Sequence, residues 1–171
     1  MVIFEKCILY FRLILTHIIF PRNPKPPKIY FYDNGDVVAQ NGARLENLAA
    51  TTLLKRLHFI EDYYGYRVNM YYVRDKDGRE VDFLTTINGK VYELIEVKNS
   101  DTNVSTSLKF YADKLKPMRT VQIVENLIRA FNQGNVLVTN PIEYFKDPRN
   151  LYFLYKNKFM MTDIQKALHL G

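Results

Sequence analysis

The sequence predicts an α/β fold, because one strongly patterned helix is followed by three strands, a second helix and a further strand. The first helix is indicated by apolar residues at three- and four-residue spacing over residues 42–60. The strands are indicated by alternating apolar and polar residues between short turn sequences. With 171 residues, the chain is long enough for one such domain with its own core.

Composition and charge narrow the class of protein. Hydrophobic residues make up 47% and charged residues 25%, the balance of a folded soluble domain. The net charge of +6 favours an anionic partner, since Lys and Arg release counterions when they meet phosphates. A basic chain whose charges are simply solvated is an equal alternative. Cys7 is the single cysteine, which excludes an internal disulfide framework and favours a reducing, cytoplasmic setting.

Residues 1–27 are predicted to form an N-terminal apolar segment and a proline-rich linker, and residues 28–171 the main domain. Residues 1–20 are mostly apolar, but Arg12 near their middle would cost roughly 2.5–3.5 kcal/mol in a membrane span. We therefore expect a packing helix or strand there, and no membrane association. The four prolines between residues 21 and 27 fix φ and remove donors, which predicts an extended linker.

Each element of the main domain has a local signal. The turn sequences Asp33-Asn34-Gly35-Asp36, Asp77-Gly78 and Asn88-Gly89 separate strand-like runs, and the last two predict an antiparallel meander. In the first helix, Ala49 and Ala50 are small enough to let a sheet approach closely. The predicted elements are strand 28–32, helix 42–60, strands 68–74, 79–87 and 91–98, helix 107–116 and strand 136–139. Residues 120–127 are ambiguous between strand and helix, and residues 151–170 indicate an aromatic strand-like patch and a terminal helix.

Acidic and basic side chains interrupt two of these apolar strands. Strand alternation places Glu96 and Lys98 on one face, and Asp82 lies in the preceding strand. Two carboxylates held close repel each other, and a divalent cation relieves the repulsion; Mg²⁺ prefers one or two carboxylates together with waters and phosphate oxygens. We therefore predict an Mg²⁺ (or Mn²⁺) site at Asp82 and Glu96. Lys98 would orient or deprotonate the attacking water, and Glu46 on the helix flank would assist. The alternative is a set of surface salt bridges of little energetic value.

The turn at Asn88-Gly89 decides whether Asp82 and Glu96 share a face. A two-residue loop pairs Asp82 with Ile95 and sends Glu96 to the opposite face. A three-residue loop beside a bulge brings the carboxylates together, and so does a bend at Asp82. A regular two-residue hairpin without a bend would therefore exclude the site.

Four separated blocks of sequence resemble the PD-(D/E)xK nuclease superfamily. They resemble more closely one branch of it, the uncharacterised domain at the C-terminus of many prokaryotic AAA+-type ATPases. The blocks are Lys28–Gly35, Gly42–Leu48, Glu80–Phe83 and Ile95–Lys98, and the similarity spans about residues 24–115. The resemblance implies a restriction-endonuclease-like αβββαβ core with a mixed sheet flanked by helices. It also implies that Asp82 and Glu96 are metal ligands, the Val97 carbonyl a third ligand, Lys98 the catalytic lysine and Glu46 the auxiliary carboxylate.

The function implied by this resemblance is metal-dependent hydrolysis of phosphodiester bonds in DNA or RNA. The chain contains no G-x-x-x-x-G-K-[ST] loop, so it would work alone, act with a separate AAA+ ATPase, or be the end of a broken longer gene. The alternative is a non-catalytic module that binds nucleic acid or docks an ATPase. The tyrosines between residues 63 and 72 could stack bases, but ordinary sheet packing explains them better. The oligomeric state is not predicted.

Overall fold

The computed structural model describes residues 10–13, 26–38 and 41–146. Two short strands come first, β1 (Tyr10–Leu13) and β2 (Lys28–Phe31), followed by a single 3₁₀ turn at Asn34–Asp36. The remaining elements are α1 (Asn41–Tyr64), β3 (Val68–Arg74), β4 (Glu80–Ile87), β5 (Lys90–Lys98), α2 (Thr106–Leu115), β6 (Arg119–Val124), β7 (Phe131–Gln133), β8 (Val136–Thr139) and α3 (Pro141–Lys146).

The main sheet has six strands in the order β3-β4-β5-β6-β8-β7. The first three form the predicted antiparallel meander, and β5, β6 and β8 then pair in parallel. Strand β7 lies antiparallel at the edge. The predicted α/β class, the αβββαβ order and the mixed sheet are therefore confirmed.

The two long helices cover opposite faces of this sheet. Phe83 of β4 packs with Ala49 and Ala50 of α1, whereas the next residue, Leu84, packs with Leu108 of α2. Consecutive strand residues point to opposite faces, so each strand contributes to both cores. Ala49 and Ala50 are fully buried, as expected for small residues where a helix meets a sheet.

Helix α1 ends one turn later than its apolar pattern predicts. Gly65 terminates it with a φ of +70° and donates its N–H to the Glu61 carbonyl at 2.9 Å. Tyr64 in this extra turn packs against Leu57 and Ile60. The aromatic side chain therefore extends the helix past the last aliphatic residue of the stripe.

The ambiguous residues 120–127 contain strand β6. Val121 and Ile123 pack in the core under α1, and Val124 packs in the core under α2. A parallel strand that is covered on both faces has apolar residues at nearly every position. Its sequence therefore lacks the two-residue period that would distinguish a strand from a helix. Strand β7 was not predicted, and the predicted elements at residues 151–170 lie outside the described residues.

Part of the N-terminal apolar segment packs onto the domain. Strand β1 pairs antiparallel with β2, and Leu13 is buried in the same core as Tyr30 and Leu53. The prediction of a packing element is thus confirmed for residues 10–13, while residues 1–9 and 14–25 lie outside the described residues. Among the residues that are described, no helix is both long enough and apolar enough to cross a membrane.

Candidate active site

The turn at Asn88-Gly89 has two residues, so the three-residue loop, one of the two conditions for the site, is not met. Ile87 pairs directly with Lys90, and Asn88 and Gly89 both have positive φ values, +49° and +76°. Two consecutive positive φ values are typical of the primed turns that match the twist of a hairpin. A regular hairpin from this turn would separate Asp82 from Glu96.

Two irregularities in the sheet restore the pairing of these carboxylates. The first lies between Thr85 and Thr86, where β5 carries Tyr92 as an extra residue, so that Phe83 pairs with Ile95. Continued by one residue, this register sets Asp82 opposite Glu96. The second lies on the other side of β4, where the register with β3 shifts between Tyr71 and Val73.

The second irregularity bends β4 at Asp82 itself. Tyr71 pairs with Leu84 and Val73 with Val81, so Asp82 and Phe83 together stand opposite the single residue between them on β3. Bulges of this kind re-aim a side chain and are frequent next to active sites. The bend at Asp82 is the alternative condition that the sequence left open for the site.

Asp82 links β4 to both β5 and β2. Its Oδ2 accepts the backbone N–H of Val97 at 2.9 Å, and its Oδ1 accepts Lys28 Nζ at 3.0 Å. Its side chain is only 15% exposed. Burial, and then the charge of Glu46, raises the pKa of the Asp82 carboxyl. Burial of the Asp82 carboxylate therefore costs free energy, and these two donors offset part of that cost.

Glu96 and Lys98 point to the same side, as strand alternation predicts. Lys98 Nζ lies 2.6 Å from Glu96 Oε1, while Glu96 Oε2 is buried without any hydrogen-bond partner. The Glu96 side chain is 7% exposed. Burial, and then the nearby charge of Asp82, raises the pKa of Glu96 to about 7. The two predicted metal ligands thus lie close enough to repel each other.

Sequence reasoning assigned no role to Lys28, which lies at the centre of the acidic side chains. Its Nζ is 3.0 Å from Glu46 Oε1, 2.7 Å from Glu80 Oε1 and 3.0 Å from Asp82 Oδ1. Tyr30, on the same face of β2, donates its hydroxyl to Glu46 Oε1 at 2.6 Å. The available signal was the two-residue spacing of Lys28 and Tyr30, which places a cation and a hydroxyl on one face of a short strand.

The carboxylates keep the Lys28 ammonium charged. Burial alone would favour neutral lysine, but the charges of Asp82 and Glu46 outweigh it and raise the pKa of Lys28 well above its ordinary value. Burial, and then the charge of Glu46, also raises the pKa of Tyr30, which keeps its hydroxyl a donor. A cavity of about 350 Å³ opens beside Lys28, Tyr30 and Glu46.

Asn47 fixes β2 against the first turns of α1. Its side chain accepts the N–H of Phe31 at 2.8 Å and donates to the Phe31 carbonyl at 3.0 Å and to Asn34 Oδ1 at 3.1 Å. Asn47 is 3% exposed. Because Glu46 is its neighbour in the helix, this pairing holds Glu46 and Lys28 in register.

The predicted site residues therefore fall into two adjoining groups joined by Asp82. Glu46, Glu80 and Asp82 surround Lys28, whereas Glu96 pairs with Lys98. Within the described residues, no group of three or more His, Cys, Asp or Glu side chains is arranged to hold a metal ion. Val97 contributes its N–H to the site, through Asp82.

The tyrosines expected to pack on the sheet divide into two sets. Tyr72 is 2% exposed and lies in the core. Tyr63 is 70% exposed and stacks on Phe59, which is itself 45% exposed, with ring centroids 5.4 Å apart and planes 11° from parallel. Sheet packing explains the first tyrosine and does not explain the second.

The molecule is an α/β domain whose buried carboxylates gather where a bent strand meets its neighbour. A family model described as "Domain of unknown function (DUF4143)" matches residues 41–145, more than half of the chain. The chain belongs to this family, which is consistent with the resemblance to C-terminal domains of AAA-type ATPases. No curated protein and no solved structure matches the chain. The matched range begins at α1, so β2 with Lys28 and Tyr30 lies before it.

Proposed function

We propose that this domain is a metal-dependent phosphodiesterase of the PD-(D/E)xK type that hydrolyses DNA or RNA. The observation that carries the proposal is the state of Glu96, whose Oε2 is buried without a partner beside a second carboxylate, Asp82. Buried polar atoms in folded proteins are almost always hydrogen-bonded, so an exception needs a physical reason. Binding of a cation is the reason that fits a repelling carboxylate pair, and carboxyl groups with raised pKa values cluster at functional sites.

Asp82 and Glu96 are the side chains that would hold a divalent metal. Both are hard oxygen donors of the kind that Mg²⁺ and Mn²⁺ take, and Glu96 Oε2 is free to accept one. When bound, such a metal lowers the pKa of its water and stabilises charge on the attacked phosphate. The Val97 carbonyl remains the third ligand that the superfamily resemblance implies.

Lys98 would act as a cation toward the substrate. Burial opposes its charge, but the hydrogen bond from its ammonium to Glu96 outweighs burial and raises the pKa of Lys98. The ammonium is therefore protonated at neutral pH, which favours donation to a phosphate oxygen or orientation of water over proton abstraction. Its side chain is 36% exposed, so a substrate in solution can reach it.

The remaining site residues position Asp82. The Val97 N–H fixes one of its oxygens, while the other, which accepts Lys28 here, is the oxygen that a metal ion would take over; Lys28 is itself held by Glu46. Glu46 is oriented in turn by the Tyr30 hydroxyl. This support would keep the carboxylate of Asp82 directed along the strand end where Glu96 lies.

A second function, nucleic-acid binding without cleavage, is favoured by a different surface. The stacked and exposed rings of Phe59 and Tyr63 resemble the aromatic platforms on which bases stack, each base contributing about 1–3 kcal/mol. The net charge of +6 would add sequence-independent attraction to phosphates. Docking to a separate AAA+ ATPase is a further proposal, and it rests on the family resemblance alone.

A cleavage assay with purified chain tests the first function. Supercoiled plasmid, single-stranded DNA and RNA are incubated with Mg²⁺ or Mn²⁺ and with wild type, Asp82→Asn or Lys98→Met. We expect cleavage by wild type, its loss in both variants, and wild-type cleavage by the matched control Lys109→Met, which changes an exposed lysine on α2. Binding without cleavage by wild type, weakened by Tyr63→Ala, would instead support the second function.

A further inference from the structure

We propose that the Lys28 ammonium competes with a divalent metal ion for Asp82, so that the two cations bind this carboxylate in turn. The proposal rests on the metal site of the proposed function and adds a residue that controls access to it. In the described structure, Lys28 Nζ lies within 3.0 Å of oxygens from Glu46, Glu80 and Asp82. Of these three carboxylates, Asp82 is the one that also belongs to the metal site of the proposed function.

The charges around Lys28 do not balance. Three carboxylates face one ammonium, and the second oxygen of Glu80 is 3.4 Å from Arg74, whose side chain is 49% exposed and therefore screened by water. The negative charge around Lys28 therefore exceeds the single positive charge that its ammonium supplies.

Asp82 is the residue for which the two cations compete. One of its oxygens accepts Lys28 and the other accepts the Val97 N–H, so it has no oxygen left without a partner. An ammonium and a divalent ion on the same carboxylate would repel each other strongly in this partly buried setting. Binding of metal by Asp82 should therefore weaken its bond with Lys28 and favour release of the ammonium.

An independent observation at Glu96 also points to a cation site that includes Asp82. Glu96 has a side chain 7% exposed and an Oε2 atom without a partner, and Asp82 is the charge that acts most strongly on it after burial. Asp82 therefore has an ammonium bound to it and acts on a second carboxylate that has an oxygen without a partner. A metal ion shared by Asp82 and Glu96 would satisfy this oxygen.

The fold lets Lys28 withdraw without unfolding the sheet. Strand β2 lies outside the six-stranded sheet and pairs only with β1 among the described strands. The lysine side chain is 23% exposed and has four rotatable bonds, so its ammonium can swing toward solvent while the backbone stays in place. Tyr30 and Asn47 would hold β2 during this movement through their bonds to α1 and the Phe31 backbone.

Binding of Mn²⁺, followed by the loss of the free-ion electron paramagnetic resonance signal, tests the proposal without any activity assay. We expect Lys28→Met to bind one Mn²⁺ at least tenfold more tightly than wild type. Lys28→Arg, which keeps the charge, should bind as weakly as wild type, and so should the surface control Lys109→Met. Adding Asp82→Asn to Lys28→Met should abolish the gain.

Thermal unfolding with and without Mn²⁺ covers the case in which Lys28→Met is unstable. Loss of the ammonium leaves three carboxylates facing each other, so we expect this variant to be destabilised and to be rescued by Mn²⁺ far more than wild type is. Lys28→Gln should behave in the same way. A folded Lys28→Met that binds Mn²⁺ no more tightly than wild type overturns the proposal, and so does failure of Mn²⁺ to restore folding in both variants.

The two proposals fail separately. If wild type cleaves no nucleic acid but Lys28→Met gains Mn²⁺ binding, the nuclease function is lost and the competition stands. If wild type cleaves and Lys28→Met gains no Mn²⁺ affinity, the function stands and Lys28 is a fixed structural partner of Asp82.

Discussion

Strand β5 carries two buried glutamates, Glu93 and Glu96, whose surroundings differ in kind. Glu93 is fully buried and both of its oxygens have partners: Arg56 on Oε2, and the Tyr144 hydroxyl and Arg119 on Oε1. Glu96 has one partner, Lys98, and one oxygen with none. The two residues are three positions apart on one strand, so the difference lies in what the neighbouring elements supply.

The comparison separates a carboxylate that joins several elements from one that is left partly unsatisfied. Glu93 ties β5 to α1, β6 and α3, and its charge raises the pKa of Arg56 even though burial opposes this. Glu96 faces another carboxylate and is left partly unsatisfied, an arrangement that costs stability and is typical of sites that bind something. The two glutamates are both buried, so burial does not distinguish them. The hydrogen-bond and ion-pair partners of their carboxylate oxygens do.

The largest change in the free energy of unfolding is expected for Glu93, the glutamate whose two oxygens both have partners. Glu93→Gln should lower the free energy of unfolding by about 3–5 kcal/mol, because it leaves the guanidinium of Arg56 buried without its counter-charge. Urea unfolding at neutral pH measures the change. A loss below about 1 kcal/mol, the value of an exposed ion pair, would show that the network around Glu93 does not hold the elements together.

On the functional side, Lys98→Met should reduce cleavage about 10²- to 10³-fold, the cost of removing one donor that stabilises transition-state charge. Its free energy of unfolding should fall by about 1–2 kcal/mol, less than for Glu93→Gln, because Lys98 is partly exposed although it is the one partner of the buried Glu96. Single-turnover cleavage rates and urea unfolding of the same preparations give both values. Equal losses of activity and of stability would assign Lys98 a structural role like that of Arg56.

Replacing Glu96 itself should stabilise the protein. Its folded-state pKa of about 7 lies above the ordinary 4.5, so the folded form holds the proton more tightly than the unfolded form. Stability from this group is therefore full below pH 4.5, falls as the pH rises toward 7, and stays lower above it. Removing the charge with Glu96→Gln should add about 3–4 kcal/mol at pH 8, at roughly 1.4 kcal/mol per unit of pKa.

Unfolding of wild type and Glu96→Gln across pH 4 to 8 measures this gain. The difference between them should shrink toward zero at the acid end. A Glu96→Gln variant less stable than wild type at pH 8 would mean that the ion pair with Lys98 outweighs the repulsion from Asp82.

The smallest of the expected effects is a change in stability at Asn47, which fixes β2 against α1 beside the site. Asn47→Ala removes three hydrogen bonds between α1 and the segment around Phe31, and we expect a loss of about 1–2 kcal/mol. Asn69→Ala, an exposed asparagine on β3, serves as the matched control and should change stability by less than about 0.5 kcal/mol. A neutral Asn47→Ala would show that β2 is held by β1 and the core instead.

Local patterns predicted the elements more accurately than the site. Strands β3 and β8 have the predicted bounds, and alternation along β5 correctly placed Glu96 beside Lys98. The contacts of Lys28 were not predictable in this way, because they join residues 18 and 54 positions apart through three separate elements. The register of Asp82 was not predictable either, because it depends on two bulges that have no signal in the turn sequences.

We propose that Glu96 is a functional carboxylate, held beside Asp82 at a cost in stability. The decisive experiment is Mn²⁺-dependent cleavage of single-stranded and plasmid DNA by purified wild type and Glu96→Gln, with folding of both checked by unfolding at the assay pH. We expect cleavage by wild type and a loss of at least about 100-fold in a Glu96→Gln variant that is folded and more stable. Equal cleavage by the two proteins, or no cleavage by a folded and metal-loaded wild type, would contradict it.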